Sequence, residues 1–373
     1  MKIGIITMHR VIHFGSVLQA YALQKFLLNN GLDNEIIDYV YPNKWHKNTT
    51  RKSFRAFIIE TAYRVIKWFD NKTEKQKSPI ALFIEKELIK SNKSYSHPRK
   101  LKKNCPKYDI YLTGSDQVWN TDYLKGDTSF FCSFVNNESP KLSYAASFGR
   151  FTFEGNEAKC WLSNLLTYKA LSVREKKAQD IIKQYTGLDA ELVADPTLLL
   201  SKNDWAEFSD IPQLINGKYI LIYVLTYAWD PFPYVLDVIK HFEKKLGWEI
   251  VVVEPLSLKL KNPSWRYIDN INPHQFVNLI RNAGLVLTTS FHGTAFSINL
   301  EVPFYAIINK SKANDDRIKS LCEMIDVREG LLMENSDLPE FPNIDFKKST
   351  HNLNIIRQHS SNFLLNAILK NAQ

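Results

Sequence analysis

An α/β protein of two Rossmann-like halves with a cleft between them is the fold class this sequence predicts, and three observations carry it. The chain has 373 residues, more than one core sustains, since single hydrophobic cores stop growing at about 250–300 residues. Short apolar runs alternate with helical patterns along most of its length, as βαβ units around parallel sheets require. The alternation stops at Asp195-Pro196 and the polar cluster Ser201-Lys202-Asn203-Asp204, then begins again. Proline disfavours helix at the residue before it and the polar cluster caps a new one, so this stretch reads as a hinge.

In the first half, Lys2 to Thr7 reads as a strand. Gly15 and Ser16, the latter as cap, open a helix that runs through Leu27 and ends at Asn30-Gly31. Strands follow at Glu35 to Val40, Asp109 to Thr113, Lys141 to Ser147, Lys169 to Val173 and Leu192 to Ala194, with helices near Glu157 to Leu166 and from Arg174 to Tyr185. The second half predicts strands at Tyr219 to Leu225, Glu249 to Val253, Leu285 to Thr288 and Phe304 to Ile308. Helices are expected at Pro233 to Leu246, Pro273 to Asn282 and Thr294 to Leu300. The expected division is 1–200, 201–345 and a last helix, His351 to Lys370 within 346–373, that crosses back onto the first half.

Lys plus Arg exceed Asp plus Glu by 48 − 39 = 9. Residues 41–107 hold 18 basic and 5 acidic side chains, so the rest of the chain is near −4. This basic insertion contains an amphipathic pattern at 53–69: Phe54, Ile58, Ala62, Val65 and Phe69 recur at helical steps, with Arg55, Arg64 and Lys67 off that stripe. Such a helix packs on its own domain with a solvated basic face, or lies on an anionic membrane surface. Its aromatics fit an apolar helix face better than an open base-stacking platform, so no nucleic-acid partner is expected. The longest apolar run, Tyr219 to Leu225, is far short of a membrane span, and the first residues lack the pattern of a signal peptide, so a cytoplasmic protein is expected. Cys105, Cys132, Cys160 and Cys322 form no CxxC pair and predict neither a zinc site nor a disulfide framework.

In doubly wound sheets ligands sit beyond the carboxyl ends of the strands. Five such places carry chemistry. His13, Gly15 and Ser16 lead into the first helix, whose amides would favour an anion. Asp116, Gln117, Trp119 and Asn120 lie in Gly114-Ser115-Asp116-Gln117-Val118-Trp119-Asn120, where an indole and hydrogen-bonding groups suit a sugar and Asp116 suits a general base. Arg174 stands at a helix start beside Glu175, where a cation opposes the helix dipole and suits an anionic ligand instead. Ser290, His292, Gly293 and Thr294 fall at a strand-to-helix turn able to hold an anion and donate a proton. Lys310, with Arg317 further on, adds cations after the strand ending at Ile308. Each place also has an ordinary structural use as a cap, a turn or a solvated loop.

Together the segments Phe14 to Leu23, Gly114 to Asn120, Ser172 to Glu175, Asp195 to Thr197 and Ser290 to Ser297 resemble the polysaccharide pyruvyl transferase family. The resemblance implies a glycosyltransferase-B-like fold and phosphoenolpyruvate as co-substrate with no further cofactor. It also implies an acceptor sugar, lipid-linked or polymeric, of a capsular or exopolysaccharide repeat. Where many members read Arg-Leu-His-Gly, this chain has Ser290-Phe291-His292-Gly293, so Lys310 or Arg317 would have to replace an arginine; His13 stands where Asn is common. On this reading His292 and Asp116 are catalytic. Arg174, Ser290, Gly293, Thr294, Lys310 and Arg317 bind the donor, and His13, Gly15, Ser16, Gln117, Trp119 and Asn120 bind the acceptor. No metal is demanded. A nucleotide-sugar glycosyltransferase and a non-catalytic glycan or nucleic-acid binder are the alternatives.

Overall fold

The computed structural model describes residues 1–43, 46, 78–136, 138–149, 161–226, 229–253, 258–309 and 316–372. The amphipathic pattern at 53–69, Cys160, Lys310 and the beginning of the helix expected near Glu157 lie outside the described residues.

Strands β1 (Lys2–Ile6), β2 (Asp33–Ile36), β3 (Ile110–Thr113) and β4 (Lys141–Ser143) form a parallel sheet in the order β2-β1-β3-β4. The pair β5 (Ser172–Val173) and β6 (Glu191–Leu192) extends it through isolated parallel bridges, Leu142 to Ala170 and Ala146 to Val173. A second, six-stranded parallel sheet contains β7 (Tyr219–Tyr223), β8 (Glu249–Val253), β9 (Arg266–Ile268), β10 (Leu285–Thr288), β11 (Phe304–Ile308) and β12 (Leu331–Met333). Its order is β12-β11-β10-β7-β8-β9. Strand order reverses between β1 and β3 in one sheet and between β7 and β10 in the other, and those reversals open a crevice at the carboxyl ends. The interior strands of both sheets are mostly apolar runs buried on two faces, which is why the sequence located them, whereas the short, partly exposed edge strands β9 and β12 were not predicted.

Helices α1 (Phe14–Asn29), α2 (Pro79–Glu87), α3 (Pro98–Asn104), α4 (Thr121–Leu124), α5 (Lys176–Thr186) and α6 (Lys202–Phe208) belong to the first half and its exit. Helices α7 (Tyr234–Leu246), α8 (Pro273–Arg281), α9 (Phe291–Asn299), α10 (Asp316–Ile325) and α11 (Phe346–Lys370) follow. None of the described helices is long and apolar enough to cross a membrane.

Helix α1 is apolar nearly all round and therefore buried, wedged between the two halves. Phe14 stacks on Phe276 of α8 with ring centroids 4.2 Å apart. One apolar core runs from β1 through α1 to α8 and α9. Helix α11 ties the halves from outside: Ser360 Oγ accepts the Ala194 N–H at 2.9 Å, and Arg357 Nε donates to the Leu198 carbonyl at 2.7 Å.

Several boundaries differ from the sequence expectation. Helix α1 begins at Phe14, with His13 at the cap position, so Ser16 lies inside its first turn and does not cap it. Strand β4 stops at Ser143, since Ala145 takes a left-handed φ of +53°. Glu175 is the N-cap of α5, which places Arg174 before the helix and removes the dipole argument applied to it. Helix α9 starts at Phe291, three residues earlier than expected, because Ser290 Oγ accepts the Gly293 N–H at 3.3 Å. Helix α11 also starts earlier, where Asp345 accepts the Lys348 N–H at 3.0 Å.

The halves approach closely at Gly15, where a Cβ would stand 2.0 Å from His292 Nδ1. Only a residue without Cβ lets α1 and the start of α9 meet at this distance. Gly15→Ala is therefore expected to destabilise the protein by about 1–3 kcal/mol in urea unfolding, the usual cost of overpacking a filled site. A variant as stable as the wild type would show that the two helices separate freely.

Candidate active site

Three strand ends on the same side of the first half each deliver one charged group to the same point. Asp116 follows β3, Arg174 follows β5 and Asp195 follows β6. Arg174 is only 2% exposed, so its charge must be met inside the protein. Its Nη1 donates to Asp195 Oδ2 at 2.5 Å and to Ser115 Oγ at 3.3 Å. Its Nη2 lies 3.6 Å from Asp116 Oδ1, and its Nε lies 3.8 Å from Glu175 Oε2. The Phe291 ring of the second half covers the guanidinium, with Cζ 4.5 Å from the ring centroid.

Asp116 holds a left-handed backbone, φ +73°, uncommon outside glycine and tolerated by short polar side chains. Its Oδ2 accepts the Ser16 hydroxyl at 2.5 Å and its Oδ1 accepts the Gln117 N–H at 2.8 Å. Burial pushes this carboxyl up, but Arg174, His292 and the Ser16 bond outweigh it and bring it to about 2. Asp195 is depressed by the same balance, burial against Arg174 and His292. Glu175 goes the other way, because burial raises it more than Arg174 lowers it.

His292, in the first turn of α9, has Nε2 3.8 Å from Asp195 Oδ2. That nitrogen is buried and has no hydrogen-bond partner among the described residues. Burial pushes the imidazole down to about 4, with Asp195 opposing and Arg174 assisting. His13 is likewise pushed down by burial, and its Nε2 lies 3.2 Å from the Tyr223 hydroxyl at the end of β7.

These groups border a cavity of about 390 Å³. Ser16, Asp116, Gln117, His13, Ser290, His292 and Arg317 line its polar part, while Met8, Val11, Ile12, Tyr41, Pro42 and Tyr123 supply an apolar wall. Arg317, on α10, is 7% exposed, its Cζ is 6.0 Å from the Phe291 centroid, and its Nε has no hydrogen-bond partner among the described residues. Two anchors fix the wall. Arg10 Nε and Nη2 donate to Asp38 at 2.5 and 2.6 Å, holding the loop that carries Ile12 and His13. Tyr41 packs edge-on against Phe130 and His46, with centroids 5.4 and 4.5 Å away.

Of the residues picked out in the sequence, His13, Ser16, Asp116, Gln117, Ser290, His292 and Arg317 meet at this cavity. Arg174 lies behind its wall, with its charge taken by Asp195 and with Nε and Nη2 shut away from solvent. The Gly293 N–H is taken by the Ser290 hydroxyl, and the Thr294 hydroxyl donates to the Ser290 carbonyl at 3.0 Å, so both serve the cap. Trp119 is fully buried, its indole N–H bound to the Phe130 carbonyl at 3.2 Å and its ring stacked on Phe131, so it presents no face to a sugar. Asn120 caps α4 and donates to Gln117 Oε1 at 2.9 Å. Gly15 packs beneath the His292 ring.

Sequence reasoning missed Asp195, Phe291, Ile12, Tyr41 and Tyr123. Asp195 had a usable signal, since it directly follows a predicted strand. Among the described residues no group of three or more His, Cys, Asp or Glu could hold a metal ion.

Known structures share this architecture over their whole length. UDP-N-acetylglucosamine 2-epimerase from Rickettsia bellii aligns with a TM-score of 0.54 at 12% identity, covering 100% of this chain and 96% of that one. The UDP-GlcNAc 2-epimerase from Neisseria meningitidis, solved with UDP-GlcNAc bound, gives 0.52 at 13% identity over 99% and 100%. The Methanocaldococcus jannaschii enzyme gives 0.50 at 14% identity over 99% of both chains. At such identities the likeness is one of fold, two Rossmann-like domains in a glycosyltransferase-B-like arrangement. No curated protein matches the sequence. The family model for polysaccharide pyruvyl transferase matches residues 13–311, a span that contains His13, Asp116, Arg174, Asp195 and His292 but not Arg317, and the chain belongs to that family.

Proposed function

We propose that this transferase moves the pyruvyl group of phosphoenolpyruvate onto two hydroxyls of a sugar in a polysaccharide repeat, forming a ketal and releasing phosphate. The observation that carries the reading is the pairing, in one cavity, of a guanidinium and an imidazole that lack hydrogen-bond partners among the described residues with a carboxylate held ionised. Arg317 faces the donor anion and stands in for the arginine absent at Ser290. Arg174 does not touch the donor: it holds Asp116 and Asp195 in place and ionised.

Ketal formation adds a proton to C3 of the enol phosphate, builds positive charge at C2, adds two hydroxyl oxygens there and expels phosphate with the electron pair of its C–O bond. His292 is the acid for C3. Asp116, near 2, is by itself a weak base. It orients the first hydroxyl, offsets the charge growing at C2, and accepts the hydroxyl proton as the new C–O bond forms. The second hydroxyl proton leaves with phosphate. The apolar wall of Ile12, Tyr41, Pro42 and Tyr123 takes the carbon face of the acceptor ring, the task expected of Trp119. The acceptor is a capsular or exopolysaccharide unit, polymeric or lipid-linked.

A second reading, nucleotide-sugar glycosyl transfer, draws on the UDP-GlcNAc bound by the structural neighbour from Neisseria meningitidis. Thermal unfolding separates the two. At 100 times its dissociation constant phosphoenolpyruvate should add about 2.7 kcal/mol of stability. Arg317→Ala should weaken its binding by about 1.5–3 kcal/mol, the range for a charged hydrogen bond. Stabilisation by UDP-, GDP- or CMP-sugars and not by phosphoenolpyruvate would make the protein a glycosyltransferase. Once an acceptor is in hand, Tyr123→Ala is expected to raise its KM by about 2- to 10-fold and leave that of phosphoenolpyruvate unchanged. A rise in the donor KM instead would move the apolar wall to the donor side.

A further inference from the structure

Resting on the phosphoenolpyruvate reading, the charges around the cavity predict where the catalytic proton comes from. Asp195 and Arg174 face His292 from the strand ends of the first half, as does Asp116. His13 faces it from the start of α1, Glu175 and Arg317 lie close by, Tyr41 and Tyr123 stand on the cavity wall, and the Tyr223 hydroxyl lies beside His13. Arg174 and Arg317 bring two positive charges, which ionised Asp116 and Asp195 cancel. Glu175 adds negative charge whenever it ionises, and burial keeps both imidazoles neutral.

Phosphoenolpyruvate brings a carboxylate and a phosphate monoester, the latter about −1.5 to −2 at pH 7. Charge of that size entering a buried site is costly unless matched. The two nitrogens of His292 are not equivalent. Nε2 is enclosed beside Asp195, while Nδ1 is on the Gly15 side and forms no hydrogen bond to a described residue. A neutral ring with its hydrogen on Nε2, toward Asp195, leaves the Nδ1 lone pair free for a proton, and Asp195 then stabilises the imidazolium.

We infer that binding of phosphoenolpyruvate draws a proton from solvent onto Nδ1 of His292, and that this is the proton passed to C3. The C2=C3 π electrons form the new C3–H bond, and the ring returns to neutral. The proton on the product methyl group therefore enters with the donor, before the acceptor arrives.

Calorimetric titration of the protein with phosphoenolpyruvate at pH 7, repeated in PIPES, HEPES and Tris, tests this. The observed enthalpy should vary with the buffer's ionisation enthalpy with a slope corresponding to uptake of about one proton. In His292→Asn the slope should fall to near zero. In wild-type protein, affinity should also drop as pH rises from 7 to 8, the opposite of what fuller ionisation of the phosphate would give. Tight binding with no proton uptake overturns the inference, and so does undiminished uptake in His292→Asn. Failure of wild-type protein to bind phosphoenolpyruvate overturns the donor reading itself, and this inference with it.

Discussion

A guanidinium taken almost wholly out of water is the constraint on which this structure depends. Burying a charge costs several kcal/mol unless partners are fixed around it, and removing one partner of a buried pair typically costs about 3–5 kcal/mol. Arg174 satisfies that demand with Asp195, Asp116 and Ser115, drawn from the ends of different strands of one sheet, and with the Phe291 ring from the other half. The strand order of the first sheet, the left-handed turn at Asp116 and the start of α9 must all be correct for this charge to be met. Polar groups of the cavity inherit their positions from that requirement.

In the proposed reaction the buried charge works through its neighbours. It keeps Asp116 and Asp195 ionised in a place where burial alone would protonate them, and it helps keep His292 neutral. The cavity thus contains a fixed negative group and an uncharged imidazole side by side, arranged before any ligand arrives. Preorganised charge of this kind needs no rearrangement when positive charge grows on a substrate carbon. Arg317 contributes differently. Its guanidinium lines the cavity without a hydrogen-bond partner among the described residues, which suits a ligand better than a structural bond. The two arginines divide the work, one organising the site and the other facing into it.

Much of this was legible in the chain. Interior parallel strands are unbroken apolar runs, and the rule that ligands lie beyond strand ends led directly to His13, Asp116, His292 and Arg317. The failures have separate physical causes. Asp195-Pro196 carries the local signature of a break, and local signatures do not show that the carboxylate meets an arginine 21 residues away in sequence. Trp119 adjoins the site in sequence but faces the opposite way, into the Phe131 and Phe148 cluster. Arg174 was identified for its charge but not for its burial against Asp195 and Asp116, because whether a guanidinium touches solvent or a carboxylate is settled only by packing. Tyr41 and Tyr123 reach the cavity through long-range packing that leaves no periodic trace.

The central claim is that Arg174 acts through the carboxylates it holds. Carboxyl-carbon NMR of Asp116 across an acid titration, in wild-type protein and in Arg174→Gln, tests it most directly. In wild-type protein Asp116 should titrate near 2. In the variant, burial is left without its main opponent, and the titration should move above the ordinary aspartate value of about 3.9. An unchanged Asp116 titration in a folded Arg174→Gln protein would contradict the account and return Arg174 to the role of a ligand-binding cation.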